Sequence, residues 1–201
     1  AMTMDYPVLV RVASKRQQQI QSIITDTFQE IDRVYNKWNS ESELTKINRL
    51  KANEVVQISP ELEKFLMLTE EVVTLSDGRF DPTIEPLQQL WKTHLEIGTT
   101  PTQVEIDGIL PAVGWKNLHF GNGKFYKDYD KTSIDLGGIA KGYCVDLLVE
   151  RIVAAGYSNV FVEWGGEIRT HGRHSAERPW KVFVGRLNDT DAQNAIAQID
   201  L

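Results

Sequence analysis

Apolar and polar residues alternate from Val8 to Val12, which predicts a short strand, and Ile20, Ile23, Ile24, Phe28, Ile31 and Val34 then recur at helical spacing. Ser14-Lys-Arg-Gln17 reads as a capping box at the head of that helix, so one long amphipathic helix follows the strand. Leu44 and Ile47 share a face of a shorter helix over Ser42 to Leu50, and Ser59-Pro60 starts another. That third helix carries Leu62, Phe65, Leu66, Val72 and Val73 until Asp77-Gly78 stops it. After Gly121-Asn-Gly123 the pattern shortens. Lys124–Tyr126, Ser133–Leu136, Val160–Trp164, Ile168–His171 and Trp180–Val184 read as strands, Gly165-Gly166 as a turn, and Ile199-Asp200-Leu201 as part of a last strand. Within this strand-rich half, Ile139, Tyr143, Leu147, Leu148 and Ile152 mark one helix running to a C-cap at Gly156. Helices early and strands late make the fold class α+β. No repeat or low-complexity segment interrupts it.

With 201 residues, 41% of them hydrophobic and 25% charged, the chain can bury a sizeable core and reads as one globular domain of one or two lobes. A net charge of −6 without any basic block argues against nucleic acid as a partner, because phosphate neutralisation needs clustered Lys and Arg. No apolar run is long enough to span a bilayer. The lone Cys144 forbids an internal disulfide and a thiolate metal cluster, and its place between Tyr143 and Val145 reads as buried packing. Ala1-Met2 opens without a signal-peptide pattern. His94, His119, His171 and His174 are too scattered for a zinc site, and no G-x-S-x-G, H-E-x-x-H or C-x-x-C occurs.

The stretch richest in chemistry is Asp135-Leu-Gly-Gly-Ile-Ala-Lys-Gly-Tyr-Cys-Val-Asp146, where Thr132-Ser133-Ile134 reads as a strand leading into the helix. Glycines at a strand-to-helix junction leave unpaired N–H groups and the positive end of the helix dipole open to an anion. Gly137 and Gly142 have the separation of a phosphate-binding P-loop, yet Tyr143-Cys144 stand where Lys-Ser/Thr would be needed. The dinucleotide fingerprint fails as well, since the order is G-G-x-x-x-G. On spacing alone Asp135 serves equally as a helix N-cap and Lys141 as a solvated lysine, and the glycines could merely allow close packing.

Five segments in order resemble the ApbE family of FAD:protein FMN transferases. Besides the Asp135 segment they are Met2-Thr3-Met4-Asp5-Tyr6, Trp38-Asn-Ser-Glu-Ser-Glu-Leu-Thr-Lys-Ile-Asn48, Gly78-Arg-Phe-Asp-Pro-Thr83 with Pro86-Leu87 and Leu90-Trp91, and Glu163-Trp-Gly-Gly-Glu-Ile-Arg169 with Gly172 and Pro179-Trp180. The resemblance implies an ApbE-like, T-fold-related domain over 1–201, with helices packed on a mainly antiparallel sheet. It also implies incompleteness at the C-terminus, because the family's Thr-Ser-Gly stretch, its His-x-x-Asp-Pro-x-Thr-Gly motif and its late Asp and Ser/Thr magnesium ligands are absent. Catalytic residues are therefore expected beyond Leu201.

The activity so implied is Mg²⁺-dependent transfer of FMN from FAD to a threonine of an acceptor flavoprotein, with AMP released. Hydrolysis of FAD to FMN and AMP, or FAD binding without catalysis, would fit the same motifs. The resemblance assigns the cofactor contacts to Met2, Trp38, Arg79, Phe80, Asp81, Asp135 and Lys141, and a main-chain carbonyl on Mg²⁺ to Gly138. Trp38 would stack on the isoalloxazine ring. Read from the residues alone, Trp38 could equally seal the core at a helix end, Asp81-Pro82 could simply form a turn, and Glu163 and Glu167 are solvated or capping. Family partners are redox subunits of Rnf and Nqr type. The location the resemblance implies is the periplasm or the outer face of the inner membrane, as a lipoprotein whose anchor would lie upstream.

Overall fold

The computed structural model describes residues 7–12, 17–189 and 191–201. The chain divides into two compact units, Gln29–Ala140 and Met2–Phe28 with Lys141–Leu201. Met2 and the Ser14 capping box lie outside the described residues.

The first unit holds the end of helix α1 (Gln17–Tyr35), α2 (Glu43–Asn48), strand β2 (Val56–Gln57), α3 (Pro60–Leu75), α4 (Glu85–Glu96), α5 (Gln103–Asp107), β3 (Leu118–Gly121), β4 (Lys124–Lys127) and the first turn of α6 (Gly137–Ala154). Ser42 and Ser59 cap α2 and α3 by accepting from the Thr45 and Leu62 N–H groups, and Pro60 occupies the first helical position of α3. Asp77 and Gly78 end α3 at φ 53° and 72°, the left-handed stop read from the sequence. Strands β3 and β4 form a hairpin on Asn122-Gly123, both at positive φ, with β2 antiparallel along β4. Val34, Leu44, Leu62, Phe65, Leu66, Phe125, Ile134 and Leu136 are all at most 1% exposed and make the core, where Tyr35 meets Phe65 edge-on at 4.8 Å.

No strand forms over 133–136, contrary to the expectation. The reason is Asn48, whose side chain takes the place of a neighbouring strand. Its amide donates to the Ile134 carbonyl at 2.9 Å and its carbonyl accepts the Ile134 N–H at 2.8 Å. Thr132 donates to the Ala112 carbonyl, and the Asp135 N–H goes to Pro82 O. The extended segment is thus satisfied without a ladder. Lys127 is bolted in beside it: the residue is 1% exposed, and its ammonium donates to the carbonyls of Asn48, Asp130 and Thr132 at 2.7, 3.2 and 2.6 Å. Burial pulls its pKa down to about 8.

In the second unit β1 (Val8–Val12), β5 (Val160–Trp164) and β6 (Glu167–His171) make an antiparallel sheet with β5 central. Val160, Val162 and Trp164 face inward, and Phe28 of α1 meets Trp164 edge-on at 4.9 Å. Gly165-Gly166 turns β5 into β6 at φ 59° and 92°. Helix α6 ends with the Gly156 N–H on Val153 O and the Tyr157 N–H on Ile152 O, with Gly156 at φ 94°, so the predicted cap forms. Cys144 is buried, as read from its neighbours. Strands β7 (Lys181–Val184) and β8 (Ala197–Asp200) pair as a separate hairpin.

Candidate functional site

The site grows from the first turn of α6. Asp135 uses both carboxylate oxygens: Oδ1 accepts the Gly137 N–H at 2.8 Å, capping the helix start, and Oδ2 accepts from Lys37 Nζ at 2.6 Å. Lys37 also donates to Glu85 Oε2 at 3.1 Å, while Glu85 Oε1 is held by Gln89. The side chains of Lys37, Glu85 and Asp135 are only 20%, 11% and 23% exposed. Burial works against the Lys37 ammonium, but its hydrogen bonds and charge pairing with Asp135 and Glu85 outweigh it, so its pKa stands above the usual lysine value. One ammonium between two carboxylates leaves the cluster with a net negative charge.

Lys37 Nζ also lies 5.0 Å from the centroid of the Trp38 ring. That ring is 56% exposed, so Trp38 does not seal the core; it offers an open aromatic face. On the other side of Asp135, a Cβ added to Gly138 would meet the Phe80 ring at 3.2 Å. Gly138 is therefore the residue that lets Phe80 lie against the head of α6. Phe80 is held from behind by its own N–H on Ser76 Oγ at 3.0 Å. Asp81 accepts from both the N–H and the hydroxyl of Thr83, at 2.9 and 2.6 Å, and the Thr83 hydroxyl accepts the Gly114 N–H at 2.6 Å. So Asp81 does form a turn, and that turn fixes the Phe80 loop.

These contacts join Trp38, Phe80, Asp81, Asp135 and Gly138 into one constellation within the first unit. Arg79 is not part of it, being 82% exposed and 3.4 Å from Asp77. Lys141 is counted with the second unit, where it reaches Gly165 O at 3.4 Å and Glu167 at 3.8 Å. Lys37 and Glu85 were not singled out from the sequence, and Asn48 entered only as the end of the motif that begins at Trp38. Lys37 and Asp135 stand 98 residues apart, beyond the reach of any local spacing rule. Only the adjacency of Lys37 to Trp38 hinted at a role.

A family model described as the ApbE family matches residues 2–201. The chain belongs to the ApbE family. It is 39% identical over 197 residues to the FAD:protein FMN transferase of Chlamydia pneumoniae, covering 94% of this chain and 62% of that protein. With the enzyme of the same name from Vibrio cholerae the identity is 27%, over 82% of this chain and 50% of the relative. The chain thus spans about three fifths or less of these curated relatives. Among solved structures, the ApbE protein of Thermotoga maritima superposes with a TM-score of 0.80 at 28% identity, covering 98% of this chain and 68% of that one. The flavin transferase ApbE of Vibrio cholerae gives a TM-score of 0.81 at 24% identity, covering 92% and 62%. The α+β, ApbE-like fold expected from the motifs is the fold of the molecule.

The ApbE resemblance brings two ligands to test against the residues present. A flavin ring fits the open face of Trp38, with Phe80 and the Cβ-free Gly138 nearby in the same chain of contacts. Magnesium fits less well: among the described residues no three His, Cys, Asp or Glu side chains gather as a metal site. Both Asp135 oxygens and one of Asp81 are already bonded within the protein, whereas a hard cation takes about six oxygens. The described residues of the constellation do not by themselves supply a complete magnesium sphere. No helix among the described residues is long and apolar enough to cross a membrane.

Proposed function

We propose that this chain supplies the flavin-binding part of an enzyme that moves FMN from FAD to a threonine of an acceptor flavoprotein, with AMP as leaving group and Mg²⁺ required. The observation that carries the reading is the open Trp38 ring beside Lys37, which is itself held by Asp135 at the glycine-rich start of α6. Membership of the ApbE family and the names of the relatives support it. In this reading Trp38 stacks on the isoalloxazine ring. Asp135 holds Lys37 beside the Trp38 ring while ordering the helix start, where the N–H groups of the first turn suit a phosphate. The cofactor contacts expected of Met2, Arg79 and Lys141 belong to the same proposal.

Transfer to a hydroxyl on phosphorus is dominated by positioning and charge stabilisation, the tasks these residues are suited to. Acceptors of Rnf and Nqr type and a periplasmic, lipid-anchored location belong to the same proposal. The test incubates a version extended to the length of the curated relatives with FAD and a threonine-bearing acceptor, with and without EDTA, reading in-gel flavin fluorescence and AMP. Labelled acceptor with AMP, abolished by EDTA, is the expected result. AMP without labelling would make it a hydrolase. FAD bound with neither product would leave a binding module, and no FAD binding would overturn the assignment.

A further inference from the structure

The second unit contains a cavity of about 540 Å³, within the size range of small-molecule sites, that has no part in the constellation around Asp135. Its walls bring together Arg11 on β1, Ile20 on α1, and Arg173, His174, Ser175 and Trp180 from the segment between β6 and β7. Among the described residues no Asp or Glu lines it, although the chain as a whole carries a net charge of −6. Positive charge is concentrated here against the average of the molecule.

The wall is held in place by main-chain contacts. Gly172 sits at φ 69°, where any Cβ would run into the Ser158 carbonyl and the Asn159 side chain, so only glycine lets the segment cross there. The Arg173 N–H then donates to Asn159 Oδ1 at 2.8 Å, and its guanidinium reaches Glu177 O at 3.3 Å. His174 accepts the Ala176 N–H on Nδ1 at 3.1 Å, which leaves Nε2 as the protonated, donating nitrogen of the neutral ring. Its ring stands edge-on to Trp180 at 5.2 Å. Among the described residues no carboxylate pairs with Arg11. Trp180 is 7% exposed, and its indole N–H is buried without an acceptor.

We propose that this cavity binds a small organic anion. Its oxyanion is held by Arg11 and Arg173, and its flat or apolar body lies against Trp180 and Ile20. Guanidinium forks suit a carboxylate and a phosphate equally.

The test uses the whole 201-residue chain, whose five tryptophans give five indole N–H signals in a ¹H–¹⁵N spectrum. Trp180→Phe assigns one of them. Phenyl phosphate and benzoate are titrated in turn, with benzyl alcohol as the neutral counterpart. The expected result is saturable movement of the Trp180 signal with at least one anion, little with the alcohol, and affinity about tenfold weaker in Arg11→Gln/Arg173→Gln. Whichever anion binds better identifies the headgroup as phosphate or carboxylate. Both arginines are exposed, and the amide spectrum of the variant reports whether its fold is intact; if the double variant unfolds, Arg11→Gln alone carries the comparison. No movement with either anion, equal movement with the alcohol, or undiminished binding by the folded variant would overturn the proposal.

Discussion

Two lysines of the first unit are withdrawn from water by opposite means. Lys127 is caged by three backbone carbonyls and burial draws its pKa down to about 8, whereas Lys37 lies between two carboxylates that hold its pKa up. Three carbonyls use all three ammonium protons and leave nothing for a ligand. Lys37, by contrast, keeps a fifth of its side chain exposed and stands over an open aromatic ring. One lysine is a bolt between the end of β4 and the segment leading to α6; the other keeps part of its side chain open beside an exposed ring. Burial opposes the charge of both and so does not by itself set their pKa values apart. The chemistry of the acceptors does.

The strongest way to break this comparison is Lys127→Met, which keeps the volume but orphans three carbonyls. We expect a loss of about 2–4 kcal/mol in stability by denaturant titration, with FAD affinity per folded molecule unchanged. A variant as stable as the parent would show that the cage is decorative. Asp135→Asn comes next. It should cost about 1–2 kcal/mol of stability, less than a fully buried broken pair, because Lys37 retains Glu85 and both side chains are partly exposed. Its effect on FAD binding should exceed that loss, and the reverse order would make Asp135 a cap alone.

Trp38→Ala sharpens the contrast from the other side. Calorimetry should show FAD binding weakened by about 1–2 kcal/mol, with stability within about 0.5 kcal/mol of the parent, since the ring is exposed. A large stability loss with unchanged affinity would return it to the core. A further test of the cage concerns pH. Between about 8 and 10.5 the unfolded chain still holds the Lys127 proton that the folded chain has released, so stability contributed by Lys127 rises with pH. The penalty of Lys127→Met should therefore grow across that window; a penalty that shrinks would place the folded pKa above 10.5.

What could be read without a structure were the features written in adjacent residues. The period of α1 and α3, the helix start at Ser59-Pro60, the stops at Gly78 and Gly156 and the turns at Asn122-Gly123 and Gly165-Gly166 depend on backbone preferences within a few positions. The five ordered motifs placed the chain in its family for a similar reason: each is a short run in which residue type and local geometry coincide. The false strand at 133–136 shows where this fails. Apolar alternation there is real, but whether such a segment joins a sheet depends on what partners its backbone, and an asparagine 86 residues away took that place. Lys37 meeting Asp135, Phe80 resting against Gly138, and Lys127 finding three carbonyls were likewise decided by the tertiary structure. Each is a contact between distant parts of the chain, and a polar group withdrawn from water takes whichever partner the packing brings within about 3 Å.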